Sequence, residues 1–262
     1  MYDAIAAVME KFSLPYAEAT KKIMDAKGEM STVEIPTVKR KQVDIVEGVL
    51  EDHYDYWKKY HIPINIVKKF ATVAKSVFID ETFNSRSTKA NPIFAYKFPS
   101  GNIKLYRPLS LDRAKKWMGN STAEDIGGWL HLPLRGKICI ITSSIKDVMV
   151  LRQHGFHAIA FNGEGYGLKK DSETWKTVSS AVTILKKRFK YVFFFPDNDN
   201  SGIEFGMQFT AVHHVSYFVL SGKHKDISDY QKAKGIHSTF RTLKKLLSRS
   251  INRYERETTV PY

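Results

Sequence analysis

Apolar and polar positions change rhythm along this chain. Residues 3–11 and 16–27 read as two short helices, separated by Ser13-Leu14-Pro15 and stopped at Gly28. Residues 29–46 lack a clean period and hold Pro36 and the run Lys39-Arg40-Lys41, which predicts a linker with one short strand. Residues 47–75 read as helix in two pieces broken near Pro63, and 76–107 switch to strand character. There, Phe94-Ala95-Tyr96-Lys97-Phe98 and Ile103-Lys104-Leu105-Tyr106 flank Pro99-Ser100-Gly101-Asn102, a hairpin signal.

From residue 134 apolar strands alternate with amphipathic helices. The pattern predicts strands at 138–142, 157–161, 191–195 and 215–220, with helices at 145–154, 172–188 and 201–212 between them. Such alternation indicates an α/β fold, here a four-stranded parallel sheet covered by helices on both faces. A smaller α+β subdomain precedes it, and a C-terminal helix over 236–257 follows.

In open parallel sheets ligands bind outside the carboxyl ends of the strands. Three polar clusters fall at such ends: Thr142-Ser143-Ser144, Asn162-Gly163-Glu164-Gly165 and Pro196-Asp197-Asn198-Asp199. A fourth, Lys225-Asp226-Ile227-Ser228-Asp229, lies shortly after the last strand. If the chain stays extended past Phe195, Asp197 and Asp199 point to the same side. They then repel unless a cation lies between them, and Mg²⁺ favours a few carboxylates with waters and phosphates. An Asx-rich turn is the other reading of "DNDNSG". Glu164, Asp226 and Asp229 at neighbouring strand ends favour the metal.

Composition narrows the partners. The chain has 262 residues and 43% hydrophobic content, enough for one large core or two small ones. Lys plus Arg is 41 against 27 Asp plus Glu, a net charge of +14, and nucleic acid is the first candidate partner. The single cysteine, Cys139, sits in an apolar run, so neither a disulfide framework nor a zinc site within this chain is expected. No stretch approaches the ~20 apolar residues of a membrane span, and the first residues lack a signal-peptide layout. A cytoplasmic protein with no membrane partner is expected.

Lys104, Arg107, Arg113, Lys115 and Lys116 interleave with Tyr96, Phe98, Tyr106 and Trp117, which suits a single-strand track. The same aromatics can instead face a core while the cations are solvated. On the last helix Arg241, Lys245, Arg249, Arg253 and Arg256 recur at three- and four-residue steps along one face, a solvated stripe or a nucleic-acid contact. Ser143 and Ser144 open a helix, with Lys146 in its first turn. They cap that helix or offer its N–H groups to a phosphate.

Strand, then Asp197-x-Asp199-x-x-Gly202, then helix resembles the DxD motif of the TOPRIM domain of primases and topoisomerases. "ITSSIKDVMVLRQHGFHAIAF" resembles the first TOPRIM motif, with Asp147 and Gly155 in its frame, and "HKDISDY" is similar to the later primase motif. The TOPRIM resemblance covers about 134–232. "YDAIAAVMEKFSLPYAEATKKIMDAKG" resembles the end of the zinc-binding domain of bacterial and phage primases, whose ligands would lie upstream. Region 47–133 is similar, more loosely, to the N-terminal half of phage primase-like proteins.

The resemblance implies five segments: 1–28, the end of a zinc-binding domain; 29–46, a linker; 47–133, an α+β subdomain; 134–232, the TOPRIM domain; and 233–262, the C-terminal helix. It implies a DNA primase core that makes short RNA primers on single-stranded DNA, with Mg²⁺ or Mn²⁺. Asp197 and Asp199 are the implied catalytic carboxylates and metal ligands, and Asp226 and Asp229 join them as metal ligands. Implied partners are single-stranded DNA, ribonucleoside triphosphates, a replicative helicase and a separate zinc-binding region, in a host cytoplasm if the chain is phage-encoded. One position departs. The family places Glu four residues before the motif Asp, where this chain has Ser143; Glu164 is expected to supply the missing carboxylate. A catalytically silent single-strand-binding module and a TOPRIM nuclease are the alternatives.

Overall fold

The computed structural model describes residues 41–162 and 167–259. The expected helices at 3–11 and 16–27, most of the linker, and Glu164 lie outside the described residues.

The first half is an antiparallel sheet with short helices. In chain order it runs β1 (Val43–Gly48), α1 (Asp55–Lys58), α2 (Ile64–Phe70), β2 (Thr72–Ile79), β3 (Thr82–Arg86), β4 (Phe94–Lys97), β5 (Ile103–Tyr106) and β6 (Trp117–Gly119). The sheet order is β1-β2-β4-β5-β6, with β3 also paired to β2. The expected hairpin is β4–β5, in the register Phe94↔Tyr106 and Tyr96↔Lys104, closed by Phe98 N–H on the Asn102 carbonyl at 3.0 Å. The helical expectation for 47–75 holds only in part. β1 ends inside it, α1 and α2 are short, and β2 begins at Thr72. Apolar runs this short fit helix and strand alike, and pairing decides between them.

The second half alternates as expected: β7 (Gly136–Thr142), α3 (Ile145–Gln153), β8 (His157–Ala160), α4 (Glu173–Arg188), β9 (Phe189–Phe195), α5 (Asn200–His213) and α6 (Ile227–Thr259). The parallel sheet has three strands, in the order β8-β7-β9, not four. Residues 215–220 lie beside β9 but make one parallel bridge, Phe194↔Tyr217, with Phe194 N–H on the Ser216 carbonyl at 2.9 Å. Beyond Leu220 the chain bends to the Asn198 loop, where Gly222, His224 and Lys225 carbonyls accept from Asn198, so the ladder stops. α6 starts earlier than expected, and Gly235 at φ 75° breaks it.

Strand alternation sorts the core. Ile140, Phe193 and Phe195 pack with Val148, Met149, Leu151, Leu243 and Leu247 on one face of the parallel sheet. Cys139, Ile141 and Phe194 pack with Val178, Leu185, Phe205 and Phe209 on the other. The first face is continuous with Trp57, Phe94 and Tyr96, so the antiparallel sheet shares its core. That shared core joins the two sheets beside a cleft. Among the described residues no helix is long and apolar enough to cross a membrane.

Candidate active site

The ends of β7 and β9 are fastened by Thr142 Oγ1, which donates to the Phe195 carbonyl at 3.1 Å. Directly beyond lies the acid pair. Asp199 caps α5, its Oδ1 accepting from Gly202 N–H at 2.8 Å. That N–H, and then Lys225, hold its carboxyl below the usual range. Gly202 is dictated by space: a Cβ there would sit 2.3 Å from the Asp197 carbonyl oxygen. Lys225 Nζ bridges the pair, 3.2 Å from Asp197 Oδ2 and 3.0 Å from Asp199 Oδ2.

A second acidic group joins α3 to α6. Asp226 Oδ1 accepts from Ser228 Oγ at 2.6 Å and from Asp229 N–H at 2.7 Å, capping α6. Asp147, fully buried, accepts from Ser144 Oγ at 2.6 Å and from Ser228 N–H at 3.2 Å. Burial, then repulsion from Asp226 and Asp197, pushes the Asp147 carboxyl well up despite Lys146 beside it. Lys146 lies 3.9 Å from both Asp226 and Asp229 and 4.4 Å over the Tyr60 ring. Burial alone would lower its ammonium, but Asp226 and Asp147 outweigh that and hold it above the usual range. Ser144 is thus an N-cap, as one reading of the sequence had it. Ser143 Oγ is buried with no hydrogen-bond partner among the described residues.

The facing wall is one side of the antiparallel sheet. Period-two alternation turns Tyr96, Lys104, Tyr106 and Trp117 to the same side. Tyr106 stacks on Trp117 at 4.3 Å, and the Tyr56 and Tyr106 hydroxyls share a hydrogen bond of 2.7 Å. Lys104 Nζ lies 4.9 Å over the Trp117 ring and donates to Asn162 Oδ1 at 2.6 Å. Burial brings its ammonium down to about 8.

Between the walls lies a cavity of about 920 Å³. It gathers Ser143, Ser144, Lys146, Asp197, Asp226, Asp229, Lys104, Lys116 and Trp117 from the residues marked in the sequence. Asp199 joins through Lys225. Arg107 and Lys115 stay out. Arg107 is buried and donates to Asn84 and Ser85 on β3, because alternation sends it to the other face from Tyr106. Lys115 is exposed and pairs with Asp112 at 3.4 Å. Arg241, Lys245 and Arg249 are exposed along α6, apart from the cavity lining. The sequence reading missed Tyr56, Lys59, Tyr60 and Lys232 on the walls, and it gave Asp147 and Lys225 no site role. Lys225 carried a signal, since it directly precedes an acid of the last motif; the tyrosines carried none.

The acids are all-oxygen donors, the kind that suits a hard cation. Among the described residues no three His, Cys, Asp or Glu side chains converge to hold a metal by themselves. An aspartate pair completed by water and substrate phosphates is the arrangement Mg²⁺ accepts.

No protein-family profile matches the chain, and no curated protein sequence does. Solved structures match its fold. The primase fragment of the bacteriophage T7 primase-helicase protein is 16% identical, with a TM-score of 0.51, over 85% of this chain and 84% of that one. A DNA primase domain from Pseudomonas aeruginosa is 12% identical, with a TM-score of 0.53, over 86% and 78%. The DnaG primase catalytic domain bound to single-stranded DNA is 12% identical, with a TM-score of 0.52, over 86% and 77%. The class is therefore a mixed α/β protein with a cleft between two sheets lined by aspartates and lysines. Within that class, the chain has the fold of a TOPRIM primase catalytic core.

Proposed function

We propose that this chain is the nucleotidyl-transferring core of a DNA primase, joining ribonucleotides on a single-stranded DNA template. The observation that carries this is the cleft. One wall ends in Asp197, Asp199 and Asp226, the other presents Lys104, Lys116 and Trp117, and both belong to a fold shared with primase cores. In the reaction a primer 3′-oxygen bonds to the α-phosphorus of a triphosphate, the α–β phosphoanhydride bond breaks, and pyrophosphate leaves.

Asp197 and Asp199, with Glu164 from the segment after β8, would hold Mg²⁺ or Mn²⁺, helped by Asp226 and Asp229. Bound there, the ion would lower the charge on the phosphate and on the attacking and leaving oxygens. The protein's own groups do the rest. Lys104, Lys116 and Lys146 bring positive charge to the phosphates, and the Trp117 ring offers an apolar face to a base. Glu164 stands in for the carboxylate that Ser143 lacks, as acceptor of the 3′-hydroxyl proton. The 47–133 region supplies the template wall and 134–232 the acids. A helicase and a separate zinc-binding region are the partners this role calls for.

Extension of a dinucleotide annealed to single-stranded DNA tests the reading. With Mg²⁺ or Mn²⁺ the wild type should add ribonucleotides, and Asp197→Asn should lower the rate by about a hundredfold or more. Glu164→Gln at full activity would remove Glu164 from the reaction.

A further inference from the structure

Two carboxylates at the end of one strand need a counter-charge, and the chain supplies one. Lys225 Nζ contacts both Asp197 Oδ2 and Asp199 Oδ2. Its backbone is held in place by the residue between those acids. Asn198 donates its N–H to the Lys225 carbonyl at 2.6 Å and its side-chain amide to the Gly222 carbonyl at 2.7 Å. The Lys225 side chain itself is 53% exposed, whereas Asp197 is 13% exposed. The lysine is therefore anchored at its root and open to water at its tip.

Lys146 makes a useful contrast. It also faces two acids, but its side chain is 13% exposed and packed over Tyr60. Moving it would strip a buried charge of its partners, which is costly. Moving Lys225 takes a half-exposed ammonium into water, which costs little, and an entering metal ion supplies buried Asp197 with a new counter-charge.

Resting on the metal reading above, we propose that Lys225 is a resident counter-cation that a divalent ion displaces from Asp197 and Asp199. An ammonium and a metal ion cannot both occupy the space between the same two oxygens. The lysine holds the pair in a state closed to metal, and the apparent metal affinity falls by the fraction of time it does so. Once displaced, Lys225 stays in the cavity lining and can turn to the phosphates of an incoming nucleotide. Part of the pair's charge is thus offset before substrate arrives, and a cation is delivered to the cleft when metal enters.

The test reads the lysine and the metal separately, on the full chain. Amine labelling with mass spectrometry is run with and without Mg²⁺, and Mn²⁺ binding is followed by electron paramagnetic resonance. Labelling of Lys225 should rise roughly threefold or more with metal, as expected when an exposed ion pair opens, while Lys146 stays unchanged. Asp199→Asn should raise Lys225 labelling without metal. Lys225→Gln should bind Mn²⁺ roughly three- to tenfold more tightly than wild type. Lys223→Gln, the same charge change at an exposed neighbour, should shift affinity by less than about twofold. Metal that binds the wild type while Lys225 stays protected overturns the exchange and leaves the metal reading standing, as does a Lys225→Gln effect no larger than that of Lys223→Gln. Failure of both the wild type and Lys225→Gln to bind Mn²⁺ overturns both.

Discussion

Lys104 lines the cavity as a half-buried lysine. Burial lowers its ammonium to about 8. Its charge is therefore lost as pH rises through that value, and if Lys104 faces a phosphate as proposed, kcat/KM for ribonucleotide addition should fall above it. Lys104→Arg keeps a charge at any working pH and should remove that alkaline limb. Stability should move the other way. Because the folded pKa lies below the unfolded one, the unfolded chain binds more protons between about 8 and 10.5, and stability rises with pH across that window. Wild type compared with Lys104→Met by thermal melting checks the sign. An alkaline limb in Lys104→Arg equal to that of wild type would assign the limb to another group.

Residue type and strand position made much of this site readable. Lys104, Lys116, Trp117, Ser144, Lys146 and Asp197 follow from polar residues at strand ends and cations among aromatics, and all reach the cavity. Arg107 shows the limit: the alternation that turns Tyr106 inward sends its neighbour to β3, so proximity in sequence misled where period two would have served. Tyr60 was beyond reach, since its place depends on α1 packing near α3 and α6.

At the level of elements, the turn from β9 into α5 carries the motif. Gly202 is there because the helix starts against the Asp197 carbonyl, 2.3 Å from where a Cβ would be. Gly202→Ala should cost about 2 kcal/mol or more, as for other overpacked backbone contacts. It should also lower ribonucleotide addition, because the collision moves Asp197 itself. Denaturant melting and dinucleotide extension check both effects, and a variant with wild-type stability would refute the packing argument. The β–α alternation past residue 134 was legible because each strand is a short apolar run and each helix an amphipathic one. The segment 215–220 has the same apolar pattern, yet Asn198 draws the following loop away before a ladder forms. Such competition from a distant side chain leaves no mark on local periodicity.

On the scale of the whole molecule, the +14 charge gathers partly on α6. Arg241, Lys245 and Arg249 are exposed on one face, with Leu243 and Leu247 buried on the other. If single-stranded DNA follows that stripe, neutralising the three to Gln should lower the slope of log K against log salt by about 2, at ~0.7 per phosphate contact. An unchanged slope would make the stripe a solvated face. Either result is informative, because exposed substitutions leave the core intact.

The most direct test of the primase reading is synthesis without a primer. Purified chain, single-stranded DNA, labelled ribonucleotides and Mg²⁺ or Mn²⁺ are incubated beside Asp197→Ala, and products are resolved on a denaturing gel. Short RNA products that vanish in the variant are expected. A wild-type chain that binds single-stranded DNA yet makes no product, even from an annealed dinucleotide, would contradict the reading and make this a binding module with the fold of a polymerase.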